Sequence, residues 1–249
     1  MPPRILSLAR SLAVVAVVAA LAAPAHADRR AYGYTYEYQT MPEGGLDLEI
    51  WNSQHRPDLS SSANTFELKI ETEYGITDHW DIALYQIFTQ ESGGPLSYDA
   101  TSLETRYRFA ERGELPIDTL VYFEVVKPLN EDGAELEWKL ILGRDIGPVT
   151  LNLNLIAELL LGNGNSFFVP GWSVGASYEF VPAFKLGVET FGEYSEPSME
   201  GADRHVRAWV GPALSWAPSP KIWFTGSAVF GVTSSSDDFI ARIIIGISI

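Results

Sequence analysis

The sequence contains no cysteine among its 249 residues. This absence excludes a disulfide framework and a thiolate metal site, so a chain of this size must be stabilised by a large core or by a membrane. Basic residues are also scarce, because 17 lysines and arginines face 32 aspartates and glutamates, which gives a formal net charge of −15. Nucleic-acid recognition needs clusters of Lys and Arg. The sequence has none, and we expect no nucleic-acid partner.

Only one long apolar run occurs, Leu12–Ala23. It is shorter than the ~20 residues that a membrane-spanning helix needs. Arg4 and Arg10 precede it, and Ala25-His26-Ala27 follows with the small-x-small pattern of a cleavage site. We therefore expect a signal peptide over residues 1–27 that is removed on export, with an uncleaved anchor as the alternative. Because no later run is long enough for a helix, a mature chain that spans a membrane must do so with strands.

The rest of the sequence alternates apolar and polar residues over segments of eight to twelve positions that end at Gly, Pro, Asn or Asp. From Phe66 to Tyr74, apolar residues occupy one set of alternate positions, and charged residues occupy the other: Glu67, Lys69, Glu71 and Glu73. A charge at every second position cannot face a packed core without partners. Each such strand therefore separates an apolar region from a polar one.

The lengths of the segments and of their connections indicate a membrane barrel. Strands of about ten residues match tilted membrane-crossing strands, whereas strands in soluble sandwiches average five or six residues. Aromatic residues recur near the segment ends, and short turns alternate with longer polar connections, as expected for periplasmic turns and outer loops. A secreted β-sandwich is the alternative, because the strands of both folds alternate apolar and polar residues.

The predicted fold class is therefore all-β, a transmembrane antiparallel up-and-down β-barrel of about twelve strands that spans residues 44–249 and lies in the outer membrane. The connection from Gly162 to Pro170 is assigned to a long outer loop. Counting backwards from the C-terminus predicts strands that begin near residues 45, 65, 80, 101, 117, 135, 149, 171, 184, 205, 221 and 239.

Residues 28–43 fall outside this count. Four tyrosines alternate with other residues there, so the segment is also predicted to be strand-like: Tyr32, Tyr34, Tyr36 and Tyr38. Three placements stay open, namely a strand at the periplasmic rim, a plug inside the barrel, or an error in the strand count.

The polar faces of the predicted strands define the lumen of the barrel. The acids predicted to point inward are Asp47, Glu49, Glu67, Glu71, Glu73, Asp81, Glu104, Glu124, Glu135, Glu137, Glu158, Glu179, Glu189 and Glu193. The bases predicted to join them are Lys69, Arg106, Arg108, Lys139, Lys185, Arg207 and Arg242. Twelve strands lie between the filled eight-stranded barrel and the open sixteen-stranded porin, so a narrow pore and a plugged, salt-bridged interior are both allowed. In an open pore, the acid excess favours cations.

Two stretches carry a resemblance to a known family. TMPEGGLDLEIW (Thr40–Trp51) and EYGITDHWDIALY (Glu73–Tyr85) resemble the opening of porin-like outer-membrane transporter barrels, a group that includes transporters of the phenol meta-cleavage pathway. That pattern joins a Pro-x-Gly turn and a Glu-rich strand to Tyr-Gly-(Leu/Ile/Val)-Thr-Asp. The resemblance covers about 50 residues, and it implies an outer-membrane barrel with an uptake role and no catalytic residues.

We therefore expect a passive channel or transporter for small solutes, with a plugged structural barrel as the alternative. The expected partners are outer-membrane lipid, lipopolysaccharide, the barrel assembly machinery and small solutes. The sequence sets no oligomeric state, and we expect no cofactor and no resident metal.

A hydrolase acting on lipid or peptide is a further alternative, because some membrane barrels carry Ser/His or Asp/His groups near the outer rim. His55 lies in the first long connection near Asp58 and Ser60–Ser62, and His205 follows Asp203. Surface loops are rich in such residues for other reasons, and we expect no enzyme.

Overall fold

The computed structural model of the chain describes residues 29–162, 164–195 and 205–249. The predicted signal peptide lies outside these residues. No helix within them is long and apolar enough to cross a membrane. The described chain contains twelve strands: β1 Leu46–Arg56, β2 Thr65–Thr77, β3 Trp80–Glu91, β4 Ser97–Arg108, β5 Asp118–Pro128, β6 Ala134–Ile146, β7 Val149–Gly162, β8 Asn165–Val181, β9 Phe184–Ser195, β10 His205–Ser219, β11 Ile222–Gly231 and β12 Phe239–Ser248.

Each strand pairs antiparallel with its neighbours in sequence, and β1 pairs with β12 to close the barrel. The closing pair extends from Asp47 opposite Ser248 to Arg56 opposite Phe239. This topology confirms the predicted fold class. Ten of the twelve predicted strand starts lie within one residue of the observed starts, because the turn residues that end each segment are local signals.

Two predicted boundaries were wrong. β7 and β8 stay paired out to Gly162 opposite Asn165, so the long loop predicted from Gly162 to Pro170 is a strand hairpin. The reason is that Phe168 and Val169 continue the alternation of the strand, with 51% and 5% of their surfaces exposed. Pro170 is tolerated because β8 pairs with β9 only from Gly171 onward. β4 likewise begins four residues earlier than predicted.

The outer surface of the barrel is apolar along every strand. About half of the side-chain surface is exposed at Leu84, Leu103, Leu155, Val188 and Ile243. Soluble monomers rarely expose contiguous apolar surface on this scale. The surface instead matches the apolar band that a membrane barrel presents to hydrocarbon, so the fold is that of a transmembrane barrel.

One end of the barrel carries most of the short connections, and we call it the short-turn end; the opposite end is the long-loop end. Exposed aromatic rings pack in pairs near the short-turn end, for example Tyr178 with Phe180 at 4.7 Å and Trp216 with Phe224 at 5.7 Å between ring centroids. These pairs form the aromatic belt expected at a membrane interface.

Candidate lumen site

The polar face of each strand points into the barrel, as the period of two requires. In β2, Glu71 and Glu73 have no exposed surface, while Thr72 and Tyr74 between them are exposed on the outside. The same alternation holds in β1, where Asp47 and Glu49 are buried.

The predicted lumen residues fall into three groups by position. One group is buried in the interior: Asp47, Glu49, Glu71, Glu73, Asp81, Glu104, Arg106, Lys139, Lys185 and Glu189. A second group lines cavities in the half of the lumen towards the long-loop end: Glu67, Lys69, Glu124, Glu135, Glu137, Glu158, Glu193, Arg207 and Arg242. The third group, Arg108 and Glu179, lies at the short-turn rim.

The rim position of Arg108 differs from the predicted position in the lumen. Its Nε donates to the Asp78 carbonyl oxygen at 2.7 Å, and its Nη1 donates to Glu111 at 2.7 Å. Asp78 belongs to the β2–β3 turn and Glu111 to the longer β4–β5 connection, so Arg108 fixes these two connections to each other. Glu179 lies 3.7 Å from Arg29 and 3.9 Å from Lys185 at the same end.

Residues 29–41, which we call the lumen segment, lie inside the barrel. Arg29 Nη1 donates to the carbonyl oxygen of Pro182 at 2.6 Å, and the Met41 amide donates to Asp81 at 2.8 Å. Both ends of the segment therefore lie at the short-turn end, and its middle reaches up into the lumen. The predicted strand over Tyr32–Tyr38 is wrong, because no residue between 29 and 45 is in a strand.

The top of the lumen segment is bound by one carboxylate. Glu189 of β9 accepts the amides of Gly33, Tyr34 and Thr35, each at 2.9 Å, and also the Ser227 hydroxyl at 2.6 Å. Successive backbone amides that converge on an anion form a nest, and hydrogen bonds to a charged group are about twice as strong as neutral ones. Glu189 is thus the main anchor of the segment.

Two further wall residues hold the same stretch. Asn154 of β7 accepts the Tyr36 amide at 2.7 Å and donates its Nδ2 to the Tyr36 carbonyl at 3.0 Å. Arg242 of β12 donates to the Gly33 carbonyl at 3.0 Å. The segment is therefore fixed from three sides of the barrel.

Glycines in the wall make room for the first tyrosine of the segment. A Cβ at Gly175 would lie 2.6 Å from the Tyr32 ring, and one at Gly187 would lie 3.1 Å from it. The contact at Gly175 is closer than a Cβ tolerates, and the contact at Gly187 would require the ring to move by a few tenths of an ångström. Glycine at these positions of β8 and β9 therefore lets Tyr32 pack directly against the backbone.

The other tyrosines of the segment contact different walls. Tyr34 stacks on Phe191 with ring centroids 4.2 Å apart, and Tyr36 meets the edge of Tyr122 at 5.1 Å. The Tyr38 hydroxyl bonds to the carbonyl of the β4–β5 connection. Tyr32 and Tyr34 therefore contact β8 and β9, whereas Tyr36 contacts β5 and Tyr38 contacts the β4–β5 connection, so the alternation of tyrosines does not indicate a strand.

A cluster of buried carboxylates lies beside the lumen segment. Oxygen atoms of Glu49, Glu71 and Glu73 lie within 4.8 Å of one another. Arg106 pairs with Glu73 and donates to Asp81 at 3.0 and 2.8 Å. Buried carboxylates are strongly unfavourable unless cations or hydrogen-bond donors accompany them, so the cationic side chains here are part of the site.

Arg30 of the lumen segment is the second cation of this cluster. Its Nε lies 3.6 Å from Glu49, its Nη2 lies 3.9 Å from Glu71, and its Cζ lies 4.4 Å from the Tyr36 ring and 4.5 Å from the Trp51 ring. The Trp51 Nε1 donates to both carboxylates at 2.9 Å. We call Tyr36, Trp51, Glu49 and Glu71 the cation cage. Arg30 lies outside the predicted site because residues 28–43 had no assigned place.

Above the lumen segment lies a cavity of about 340 Å³, which we call the outer cavity. Three of its carboxylates lie directly opposite one another on neighbouring strands, Glu124 on β5, Glu137 on β6 and Glu158 on β7. Lys139 Nζ lies 2.8 Å from Glu137. Glu158 forms no hydrogen bond or ion pair with the described part of the chain, so its carboxylate is available to a solute.

The residues of the alternative catalytic site have structural partners. His55 belongs to β1 and not, as predicted, to the first long connection, and its Nδ1 lies 3.3 Å from Asp237 in the β11–β12 connection. Asp58 accepts hydrogen bonds from the hydroxyl and amide of Ser60, and these bonds lower the pKa of Asp58. Asp203, the predicted neighbour of His205, lies outside the described residues.

Comparisons with known proteins identify the fold. Neither a protein-family model nor a curated protein matches this chain. Among solved structures, the chain is similar to the NanC porin with 11% identity and a TM-score of 0.55, over 82% of this chain and 98% of that one. It is also similar to the KdgM porin in complex with disordered oligogalacturonate, with 9% identity and a TM-score of 0.57, over 82% and 99%.

At these identities the likeness concerns the fold alone. It agrees with the expected resemblance to porin-like barrels, whereas the narrower resemblance to transporters of the phenol meta-cleavage pathway stays a prediction. The twelve-stranded closed barrel, its apolar exterior and its polar lumen give this chain the fold of the porins.

Proposed function

We propose that the protein is a passive outer-membrane channel for small solutes with an acid-rich lumen. The observation that carries this proposal is the outer cavity, a space of about 340 Å³ inside a closed barrel that charged side chains line. The porin fold supports the same assignment, since the KdgM structure is a complex with oligogalacturonate. Outer-membrane lipid, lipopolysaccharide and the barrel assembly machinery remain the expected partners.

The charge of the outer cavity sets the proposed preference for cations. Glu124, Glu137 and Glu158 form a row of carboxylates across three strands. Among the described residues, Lys139 pairs with this row, with Nζ 2.8 Å from Glu137, while Lys69, Arg207 and Arg242 line other parts of the cavity. Rings of carboxylates favour cations in channels. Solutes with a positive charge should therefore enter this lumen more readily than acidic sugars or phosphates.

A planar bilayer with a KCl gradient across it tests the proposal. We expect the reversal potential of the purified protein to show a preference for K⁺. The triple variant Glu124→Gln/Glu137→Gln/Glu158→Gln should lose most of this preference. A preference for Cl⁻ in the unchanged protein would refute the acid-rich pathway.

A plugged structural barrel is the second candidate, and the lumen segment is the observation that favours it. Residues 29–41 occupy the lumen between the outer cavity and the short-turn end. If neither the full protein nor a variant with a loosened segment conducts, the structural role is correct and the channel is not. The Glu189 variant described below provides that loosened segment.

We infer that the protein is not an enzyme. His55 of β1 pairs with Asp237 of the β11–β12 connection, and Asp58 and Ser60 bond to each other. The His55→Ala variant should therefore change loop stability without removing any activity towards lipid or peptide. Loss of a measured hydrolysis in that variant would contradict this inference.

A further inference from the structure

In the cation cage, aromatic rings contact the guanidinium group of Arg30 on two sides, and carboxylates face its nitrogen atoms on the other sides. The Arg30 Cζ lies 4.4 Å from the Tyr36 ring and 4.5 Å from the Trp51 ring, and Glu49 and Glu71 face its nitrogen atoms. A cation over the face of Tyr or Trp within about 6 Å is attracted by the ring, and carboxylates add charge. This combination is the chemistry that recognises organic cations.

Three of the four cage residues, Glu49, Trp51 and Glu71, belong to the barrel wall, and the fourth, Tyr36, belongs to the lumen segment. Glu49 and Glu71 lie directly opposite each other on β1 and β2. Trp51 Nε1 donates to both carboxylates at 2.9 Å, which orients them towards the lumen. Tyr36 is clamped separately through its backbone by Asn154. The acceptors and the rings therefore stay in position when the Arg30 side chain moves.

Arg30 itself fits the cage loosely. Its Nε and Nη2 atoms are buried and have no hydrogen-bond partner. The distances of 3.6 and 3.9 Å to Glu49 and Glu71 exceed the 2.7–2.9 Å of a direct charged hydrogen bond. The covalent attachment of Arg30 to the lumen segment makes its binding intramolecular, with an effective concentration on the order of millimolar.

The same pattern of cation and ring recurs around the cage. Arg242 lies 4.0 Å from the Tyr34 ring, and Lys139 lies 4.2 Å from the Tyr36 ring and 4.0 Å from the Tyr122 ring. These two cations have direct partners, because Lys139 lies 2.8 Å from Glu137 and Arg242 donates to the Gly33 carbonyl. Arg30 differs from them in its unsatisfied nitrogen atoms.

We propose that the cation cage is a binding site for solutes that carry a guanidinium or amine group, and that Arg30 occupies it as an internal ligand which such solutes displace. The proposal rests on the proposed channel function and names its solute class. Tyr36 and Trp51 also line the outer cavity, so the aromatic side of the cage borders the space that a solute entering from the long-loop end would occupy. Aromatic faces select organic cations over metal ions, which prefer oxygen ligands alone.

Calorimetric titration of the full-length protein in detergent with methylguanidinium chloride tests the site without any need for conduction. The Arg30→Ala variant empties the cage and should bind the probe saturably in the millimolar range. The unchanged protein should need at least about tenfold more probe, because its own guanidinium competes. The matched control is Arg29→Ala, which removes a rim contact to Pro182 and should behave as the unchanged protein.

Two further variants keep the test decisive. Arg30→Gln keeps a polar side chain as far as Cδ but removes the guanidinium group, and it replaces Arg30→Ala if that variant does not fold. The combination Arg30→Gln/Glu71→Gln should lose the binding, since one carboxylate of the cage is neutralised. Absence of binding in a folded Arg30→Gln barrel, or binding unchanged by Glu71→Gln, would overturn the proposal.

The channel and the cage can fail separately. If methylguanidinium binds to the Arg30 variant but no variant conducts in a bilayer, the cage is correct and the channel function is wrong. If the barrel conducts cations but the Arg30 variant binds no more probe than the unchanged protein, the channel stands and the cage proposal is wrong.

Discussion

The two halves of the lumen are built from the same strands but are filled in different ways. Towards the short-turn end, the wall of β8–β11 presents small inward residues: Ser173, Gly175, Ser177, Gly187, Ala213, Ser215, Thr225 and Ser227. The lumen segment fills the space that they leave. Towards the long-loop end, most of the residues that border the outer cavity are charged or aromatic. The size of the inward side chains thus decides whether the chain or solvent occupies the lumen.

The largest effect on the difference between the two halves of the lumen is expected when Glu189, the main anchor of the lumen segment, is replaced. Glu189→Ala deletes the acceptor of three backbone amides and a hydroxyl, and charged hydrogen bonds contribute about 1.5–3 kcal/mol each. We expect the top of the lumen segment to leave the wall and the conductance to rise several-fold. Because the chain has no cysteine, Thr35→Cys provides a single thiol whose labelling rate by a water-soluble reagent reports this release.

The matched control for this prediction is Glu193→Ala, on the same face of β9 but in the outer cavity, where its partner is Arg207 at 2.9 Å. It should leave the thiol at position 35 as slow to react as in the unchanged barrel. Equal labelling rates in the Glu189 and Glu193 variants would show that the segment does not depend on its anchor.

A smaller effect is expected where the wall makes room for the segment. In Gly175→Ala, the new methyl group would lie 2.6 Å from the Tyr32 ring, and overpacking of this kind costs about 1–3 kcal/mol. Urea titration of the folded barrel measures this loss in the free energy of unfolding. Gly226→Ala is the control, since its nearest neighbour would be 3.7 Å away, an ordinary contact.

A double-mutant cycle between Gly175 and Tyr32 tests the cause of this loss. If the cost comes from the contact with Tyr32, the Gly175→Ala change should cost little in a Tyr32→Ala background, because the ring is already absent. If the losses in the free energy of unfolding add in the double variant, the cost of Gly175→Ala does not come from its contact with Tyr32.

The smallest change in stability is expected in the outer cavity. Glu158→Gln removes a carboxylate that no described residue binds, so the free energy of unfolding should change by less than about 0.5 kcal/mol. The reversal potential in a KCl gradient should nevertheless move towards zero, since the row of carboxylates is shortened. An unaltered reversal potential would show that ions do not pass Glu158.

The strands and their faces could be predicted from the sequence because both depend on local signals. Alternation with a period of two assigned Glu71 and Glu73 to the interior, and both are buried there. The same rule also applies to Asn154, but uncharged lumen residues were not singled out as candidates. The hairpin beyond Gly162 was missed because a Pro and several polar residues outweighed a continuing alternation.

The lumen segment could not be predicted in the same way. Its tyrosines alternate as in a strand, but their partners lie far away in sequence, as Tyr36 with Asn154 shows. Without knowledge of which wall positions are small, nothing in the segment itself indicates where it lies. The cation cage follows from that placement, since one of its rings and its present occupant both belong to the segment.

The link between the lumen segment and β1 has a mechanical consequence. The Gly44 amide donates to the Gly75 carbonyl at 2.9 Å, and the Gly75 amide donates to the Gly45 carbonyl at 3.0 Å, so residues 42–45 are tied to β2. The Pro42 carbonyl packs where a Cβ of Gly75 would be. The C-terminal end of the segment is therefore fixed to the wall. A displacement of residues 29–41 from the lumen would leave them attached through residues 42–45, beside the short-turn end.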